Sequence, residues 1–358
     1  ATERAGGHVR RGAGEDYLGA YLCLLDTPRA SILWCSRPLG PLDSTEWTVV
    51  ERFVSDWRAD ELPCLPVLSQ VPWGSSAIVT MRLDCDEDIS SARGLFEWYE
   101  SQGMPFSLAV KTGLPMTPGH LARLRDVGRS GGTLLSHSHT HPADWGRCRA
   151  EALTEAVTSR EWFRHELPEA PPPELAVSPF HSNPPYAMQA LEEAGFSGVV
   201  SGIIRNDPEY LLGRAGYAPY TRDLVSVSQQ SMLHGDCYAQ QGESVETHLL
   251  AFAAQHAAGG IFGYLDHPFS ERYSYGWRDA PQRLEAHKKI VSGMRGFDGV
   301  LFLNQKTCFD WVRLLNRIGL FLDGDEVRAF NLPRSGEFRV SCRFRGQDVP
   351  LGEMHRTS

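Results

Sequence analysis

Residues 77–84 read AIVTMRLD, and residues 85–88 continue CDED. The first stretch is short, apolar and rich in β-branched side chains, which is the pattern of a buried strand; the second ends it with charge. Outward from this point the alternation repeats. ISSARGLFEWYESQG (89–103) has helical period and closes on Gly103. PFSLAV (105–110) is a strand, and TPGHLARLRDVGRSG (117–131) is a helix opening at Thr117 with Pro118 in its first turn. The strands GTLLSH, LAVSPF, SGVVSG, VSVSQQSML (225–233), GIFGYLDH and GVLFLN follow, with helical segments between most of them. Repeated strand–helix units predict an α/β fold with a parallel sheet inside and helices outside. Seven or so strands in this length suit a closed or nearly closed barrel.

The flanks differ. Residues 1–14 are polar and Gly-rich, without the apolar core of a signal peptide, and are expected to be disordered. Residues 1–74 read as an N-terminal α/β extension, with one helix in STEWTVVERFVSDWRA (44–59) that Ser44 or Thr45 would cap. Residues 75–315 form the main domain. Residues 316–358 form a C-terminal antiparallel β segment, because EVRAFNLP and GEFRVSCRFRGQDVPLG alternate polar and apolar side chains. PEAPPPE (168–174) is a short linker.

Composition narrows the partners. The formal net charge is −9 and no basic stripe is present, so nucleic acid is excluded as a partner. No run approaches the roughly 18 apolar residues of a transmembrane helix. Eight cysteines are scattered without a CxxC pair, several within apolar runs. That usage fits free thiols in a reducing compartment, so a cytoplasmic location is expected.

Three clusters of ionisable residues fall at strand ends, the functional face of a parallel α/β sheet. In the first, Asp84 and Asp86 are two residues apart and point the same way on an extended chain. Burying two carboxylates together calls for a cation. An acidic helix start explains Glu87 and Asp88 well, but Asp84 poorly, since it ends a buried run. The second cluster is SHSHTHP, with His137, His139 and His141. Spacing of four puts two imidazoles on one face, and two imidazoles plus one carboxylate leave a coordination position for water. The plain alternative is a surface histidine cluster. The third is YLDHPF, where His267 would serve as a general acid. Asp266 points to the opposite face, so Asp236 in MLHGDC becomes the candidate to orient His267. Taken alone, His267 would be structural.

These motifs resemble the NodB-homology polysaccharide deacetylases, a carbohydrate esterase family, over residues 75–315. The family's two aspartates, spaced D-x-D in some branches, correspond to Asp84-Cys85-Asp86; its H-S/T-x-x-H motif followed by Pro corresponds to His137 through Pro142; its late hydrophobic-x-His corresponds to Leu265-Asp266-His267. The resemblance implies a distorted (β/α) barrel, with Asp84 as catalytic base, Asp86, His137 and His141 as metal ligands, and His267 as catalytic acid. Two departures stand out. The family's Arg-x-Pro-Tyr becomes Val177-Ser178-Pro179-Phe180, followed by His181, so the arginine beside the base is missing. Arg82 lies on the same strand face as Asp84 and would substitute, while the Phe180 N–H would still face an oxyanion. The family's Asp-Trp pair has no counterpart; Trp277 or Tyr238 would wall the pocket. The implied reaction is hydrolysis of N-acetyl groups on a sugar of a bacterial surface polysaccharide or its precursor, such as an O-antigen. Zinc suits the ligand set best, and cobalt or nickel would fit. A non-catalytic carbohydrate-binding relative, suggested by the missing arginine, and an amidohydrolase acting on a small non-sugar amide are the alternatives.

Overall fold

The computed structural model describes residues 2–10, 17–36, 44–201, 214–228, 231–268, 273–333 and 336–352. Contacts divide the chain into two compact units, Ala1–Trp73 together with Ile318–Ser358, and Gly74–Arg317.

In the smaller unit, Thr2–Arg10, Tyr17–Asp26 and Ser31–Cys35 form a three-stranded antiparallel sheet in chain order. The expectation of disorder over 1–14 is therefore corrected for residues 2–10; residues 1 and 11–14 lie outside the described residues. The neighbouring YLGAYLCLLD is a strong strand former and offers a ladder that the weak segment joins, with register shifts around Gly7. A helix covers Ser44–Ser55; the side chains of its expected caps lie outside the described residues. Gly319–Asp323 pairs with Glu326–Phe330, and Ser341–Phe344 pairs with both Gln347–Pro350 and Val67–Leu68. The segments before and after the larger unit thus share one sheet.

The larger unit's longer strands are β1 (Ala77–Cys85), β2 (Ser107–Val110), β3 (Thr133–Ser136), β4 (Leu175–Val177), β5 (Gly198–Ser201), β6 (Val225–Ser228), β7 (Ile261–Asp266) and β8 (Val300–Leu303). Pairing runs β6-β5-β4-β3-β2-β1-β7, all parallel, with β8 parallel to β1. The helices that follow these strands include α1 (Arg93–Ser101), α2 (Pro118–Arg129), α3 (Arg149–Glu166) and α4 (Pro185–Glu193). Every residue of β1 is buried, as both faces of a parallel sheet require. Thr117 caps α2 by accepting the His120 N–H at 3.2 Å, with Pro118 next.

Two features make the barrel irregular. β8 pairs with residues 77–80 of β1 on the edge where β2 pairs with residues 83–85, so the ladder splits there. The stretch expected to be one strand over 225–233 does two jobs. Val225–Ser228 pairs with β5, while Ser231–Met232 pairs with β7 at the other end of the sheet order. Strands close in sequence thus pair at opposite ends of the curled sheet, giving the (β/α) barrel.

Candidate metal centre

Asp86 follows β1, His137 follows β3, and His141 lies four residues further on. Asp86 Oδ1 is 3.1 Å from His137 Nε2 and 3.5 Å from His141 Nε2, and the two Nε2 atoms are 3.1 Å apart. The proton positions follow from the neighbours. His137 Nδ1 is 3.1 Å from the Val177 carbonyl, which can only accept, so Nδ1 carries hydrogen and Nε2 turns its lone pair inward. Asp86 Oδ1 is buried and makes no hydrogen bond among the described residues. With both rings neutral and their Nε2 lone pairs turned inward, these three atoms repel one another, and a divalent cation between them relieves that. The donor set, one carboxylate and two imidazoles, fits a divalent ion.

The histidine loop is braced from two sides. The Glu155 carboxylate, reaching from α3, accepts the N–H groups of His139 and Thr140, both at 2.8 Å. Gly113 N–H donates to the His139 carbonyl at 2.8 Å. The His139 ring turns away, its Nδ1 3.0 Å from Thr112 Oγ1. Ser138 and His141 both take positive φ, 61° and 62°, and the Ser138 hydroxyl accepts the His141 N–H at 3.0 Å.

Asp84 is buried, and Arg82 forks onto it, Nε to Oδ1 at 2.6 Å and Nη2 to Oδ2 at 3.0 Å. Burial pushes the Asp84 carboxyl up, but Arg82 and then the nearby histidines hold it below its ordinary 3.8. Burial is likewise outweighed at Asp86, where the His137 contact leads a depression far below that value. His137 is held above 6.5 because Asp84 and Asp86 overcome its burial, whereas burial and then His137 push His141 down to about 4. Without an ion, a charged His137 relieves the crowding; with one, the ion takes that role.

His267 Nε2 lies 3.8 Å from Asp86 Oδ2, and its Nδ1 is buried without a hydrogen bond among the described residues. The Phe180 ring is exposed, 4.7 Å from the His141 ring, and Phe180 and His181 have φ of 51° and 57°. Burial, followed by the Arg82 charge, brings His181 down to about 4, with Asp84 opposing. Asp84, Asp86, His137, His141, His267, Arg82, Phe180 and His181 therefore gather at the carboxyl ends of the strands.

Three expected residues do not join them. Asp236 begins a short helix, Gly235–Gln240, where its carboxylate is largely exposed and lies 3.7 Å from His234 Nδ1; negative charge is favourable in that first turn. It does not orient His267. Trp277 is buried and donates from Nε1 to Asp266 Oδ1 at 3.0 Å, so it is part of the core and walls no pocket. Tyr238 is buried too, accepting from Lys289 Nζ at 2.9 Å. Asp266 also accepts the His267 backbone N–H at 2.7 Å and pairs with Arg283 and His287. The residue that sequence reasoning missed is Tyr275, whose ring stacks on His267 at 4.4 Å. The aromatic run RYSYGW (272–277) was the only signal for it.

No protein-family model and no curated protein matches this chain by sequence. Solved structures do. A protein from Mycobacterium smegmatis designated a polysaccharide deacetylase superposes with a TM-score of 0.53 at 14% identity, over 73% of this chain and 99% of that one. One from Pseudomonas aeruginosa PAO1, likewise designated, gives 0.50 at 11%, over 66% and 91%. The Puue allantoinase gives 0.52 at 12%, over 80% and 97%. The fold is the one these polysaccharide deacetylases share, a distorted (β/α) barrel.

Proposed function

We propose that this chain is a metal-dependent hydrolase that removes N-acetyl groups from a sugar of a bacterial surface polysaccharide or its precursor. The observation that carries the reading is the convergence of Asp86 Oδ1 and two imidazole Nε2 atoms within 3.1–3.5 Å. A divalent ion there, zinc first by its donor set, supplies Lewis acidity toward a carbonyl oxygen and acidifies water. Asp86, His137 and His141 hold it. Asp84, kept ionised and oriented by Arg82, takes a proton from the attacking water. Phe180 presents its N–H toward the developing oxyanion. His267 delivers a proton to the leaving nitrogen, which amide hydrolysis requires because an amine leaves poorly. The Arg82 guanidinium on the Asp84 carboxylate weighs against the non-catalytic reading, which the missing arginine at Val177 had suggested. The scattered cysteine usage, without a CxxC pair, supports a reducing compartment, the cytoplasm.

The test is acetate release from N-acetylated sugars, before and after chelation and after zinc or cobalt is restored. Release that stops on chelation and returns with the ion supports the reading; release indifferent to chelation, or none with the ion bound, removes it. The allantoinase of like fold favours a second reading, hydrolysis of a small non-sugar amide, which a panel of ureides and amides in the same assay would reveal.

A further inference from the structure

A five-residue turn, Tyr273 to Trp277, stands over the centre and is built tightly. Trp277 N–H donates to the Ser274 carbonyl at 3.0 Å, and Gly235 N–H donates to the Tyr275 carbonyl at 3.0 Å. Gly235 and Gly276 pack back to back: a Cβ on Gly235 would meet Trp277 N at 2.1 Å, and one on Gly276 would meet Asp236 N at 2.2 Å. Only glycine allows that approach. The Trp277 indole anchors the turn below, through Asp266. At its crest Tyr275 adopts a φ of 51°, a left-handed conformation costly for an aromatic residue. Everything around it over-determines a strained residue, and strain kept in that way marks a functional position.

The tyrosine reaches two groups at once. Its ring lies on the His267 ring, centroids 4.4 Å apart and planes within 8°. Its hydroxyl donates to Asp86 Oδ2 at 3.3 Å. That bond occupies the outer oxygen and leaves Oδ1 for the point where His137 and His141 converge. We infer that Tyr275 is a positioning residue of the centre: its hydroxyl assigns Asp86 to bind the ion through Oδ1 alone, and its ring sets the plane of His267. The inference rests on the metal-dependent reading above. It concerns how tightly and in what geometry the ion is held, and so can be read without turnover.

Tyr275→Phe keeps the ring and removes the hydroxyl; Tyr275→Leu removes both. Titrating cobalt into the purified chain against a chromophoric chelator gives affinity, and the cobalt d–d bands report coordination. Tyr275→Phe is expected to weaken cobalt binding 10- to 100-fold, as loss of a partner to a ligand does, with shifted d–d bands and with turnover recovered by excess ion. Tyr275→Leu is expected to lose at least tenfold more in kcat with the site saturated, because His267 is no longer held. Gly276→Ala, which displaces the turn without altering the tyrosine, is expected to reproduce the affinity loss. Wild-type affinity and bands in Tyr275→Phe, with wild-type kcat in Tyr275→Leu, overturn the inference and leave the metal reading standing. Failure of the wild type to bind cobalt removes both.

Discussion

Asp86 divides its two oxygens between tasks, one bare toward the imidazoles and one taken by Tyr275. Replacing Asp86, His137 or His141 with alanine removes one of three ligands, so loss of the ion by elemental analysis and of turnover by at least about a thousandfold is expected. Asp84→Asn separates binding from chemistry. It leaves the three ligand atoms in place but cannot accept a proton, so full ion content with turnover reduced by about a hundredfold or more is the expected pair of results. An Asp84→Asn protein with normal turnover would assign the base elsewhere. The ligands were readable in the sequence because their chemistry is local: two acidic residues at a strand end, and histidines four apart before a proline. Tyr275 was not, because its role depends on a left-handed turn and on two glycines distant in the chain that meet face to face. Asp236 misled for the opposite reason, since a carboxylate two residues after a histidine serves a helix start as readily as a catalytic pair.

Elements carry the ligands, and their braces can be altered without touching a ligand. Gly113, just beyond β2, lies against the histidine loop, and a Cβ there would fall 2.6 Å from the His139 carbonyl oxygen. Backbone cannot yield as a flexible side chain does. Gly113→Ala is therefore expected to cost about 1–3 kcal/mol in stability, as overpacking does, and to weaken ion binding several-fold, measured by denaturant unfolding and chelator competition. Glu155→Gln offers a gentler comparison, keeping an acceptor for the two N–H groups but not the charge. If Gly113→Ala bound the ion like the wild type, the loop would not depend on this brace. Most elements were legible because burial on both faces of a parallel strand leaves uninterrupted apolar runs, as in β1. The 225–233 segment was misjudged as one strand because pairing partners are set by barrel closure, to which local pattern is blind. Thr2–Arg10 was misjudged because a weak segment becomes a strand when a strong neighbour supplies its hydrogen bonds.

At the scale of the whole molecule, the ion and protons compete for one set of groups, and the competition has a sign. Asp84, Asp86 and Asp266 all sit below 3.8 in the folded protein. Their contribution to stability is present above that value and lost as pH falls through the lower folded values, so the ion-free protein should be labile to acid. His137 is the reverse case. Its folded pKa is raised above 6.5, so what it contributes is complete below 6.5 and fades as pH rises through the folded value. The ion needs the neutral imidazole, so binding expels that proton and tightens as pH rises. His141, already near 4, adds little to this dependence at neutral pH. The ion should therefore stabilise most where His137 has ceased to help. At an ion concentration of about 100 times Kd, linkage gives about 2.7 kcal/mol, which for a unit of this size corresponds to a rise of about 5–10 °C in Tm. Melting curves with zinc and with chelator should separate by that amount near pH 8 and converge near pH 5. A separation that is equal at both values would mean that the bound ion does not displace the His137 proton, and that the three acceptors are not the atoms that hold it.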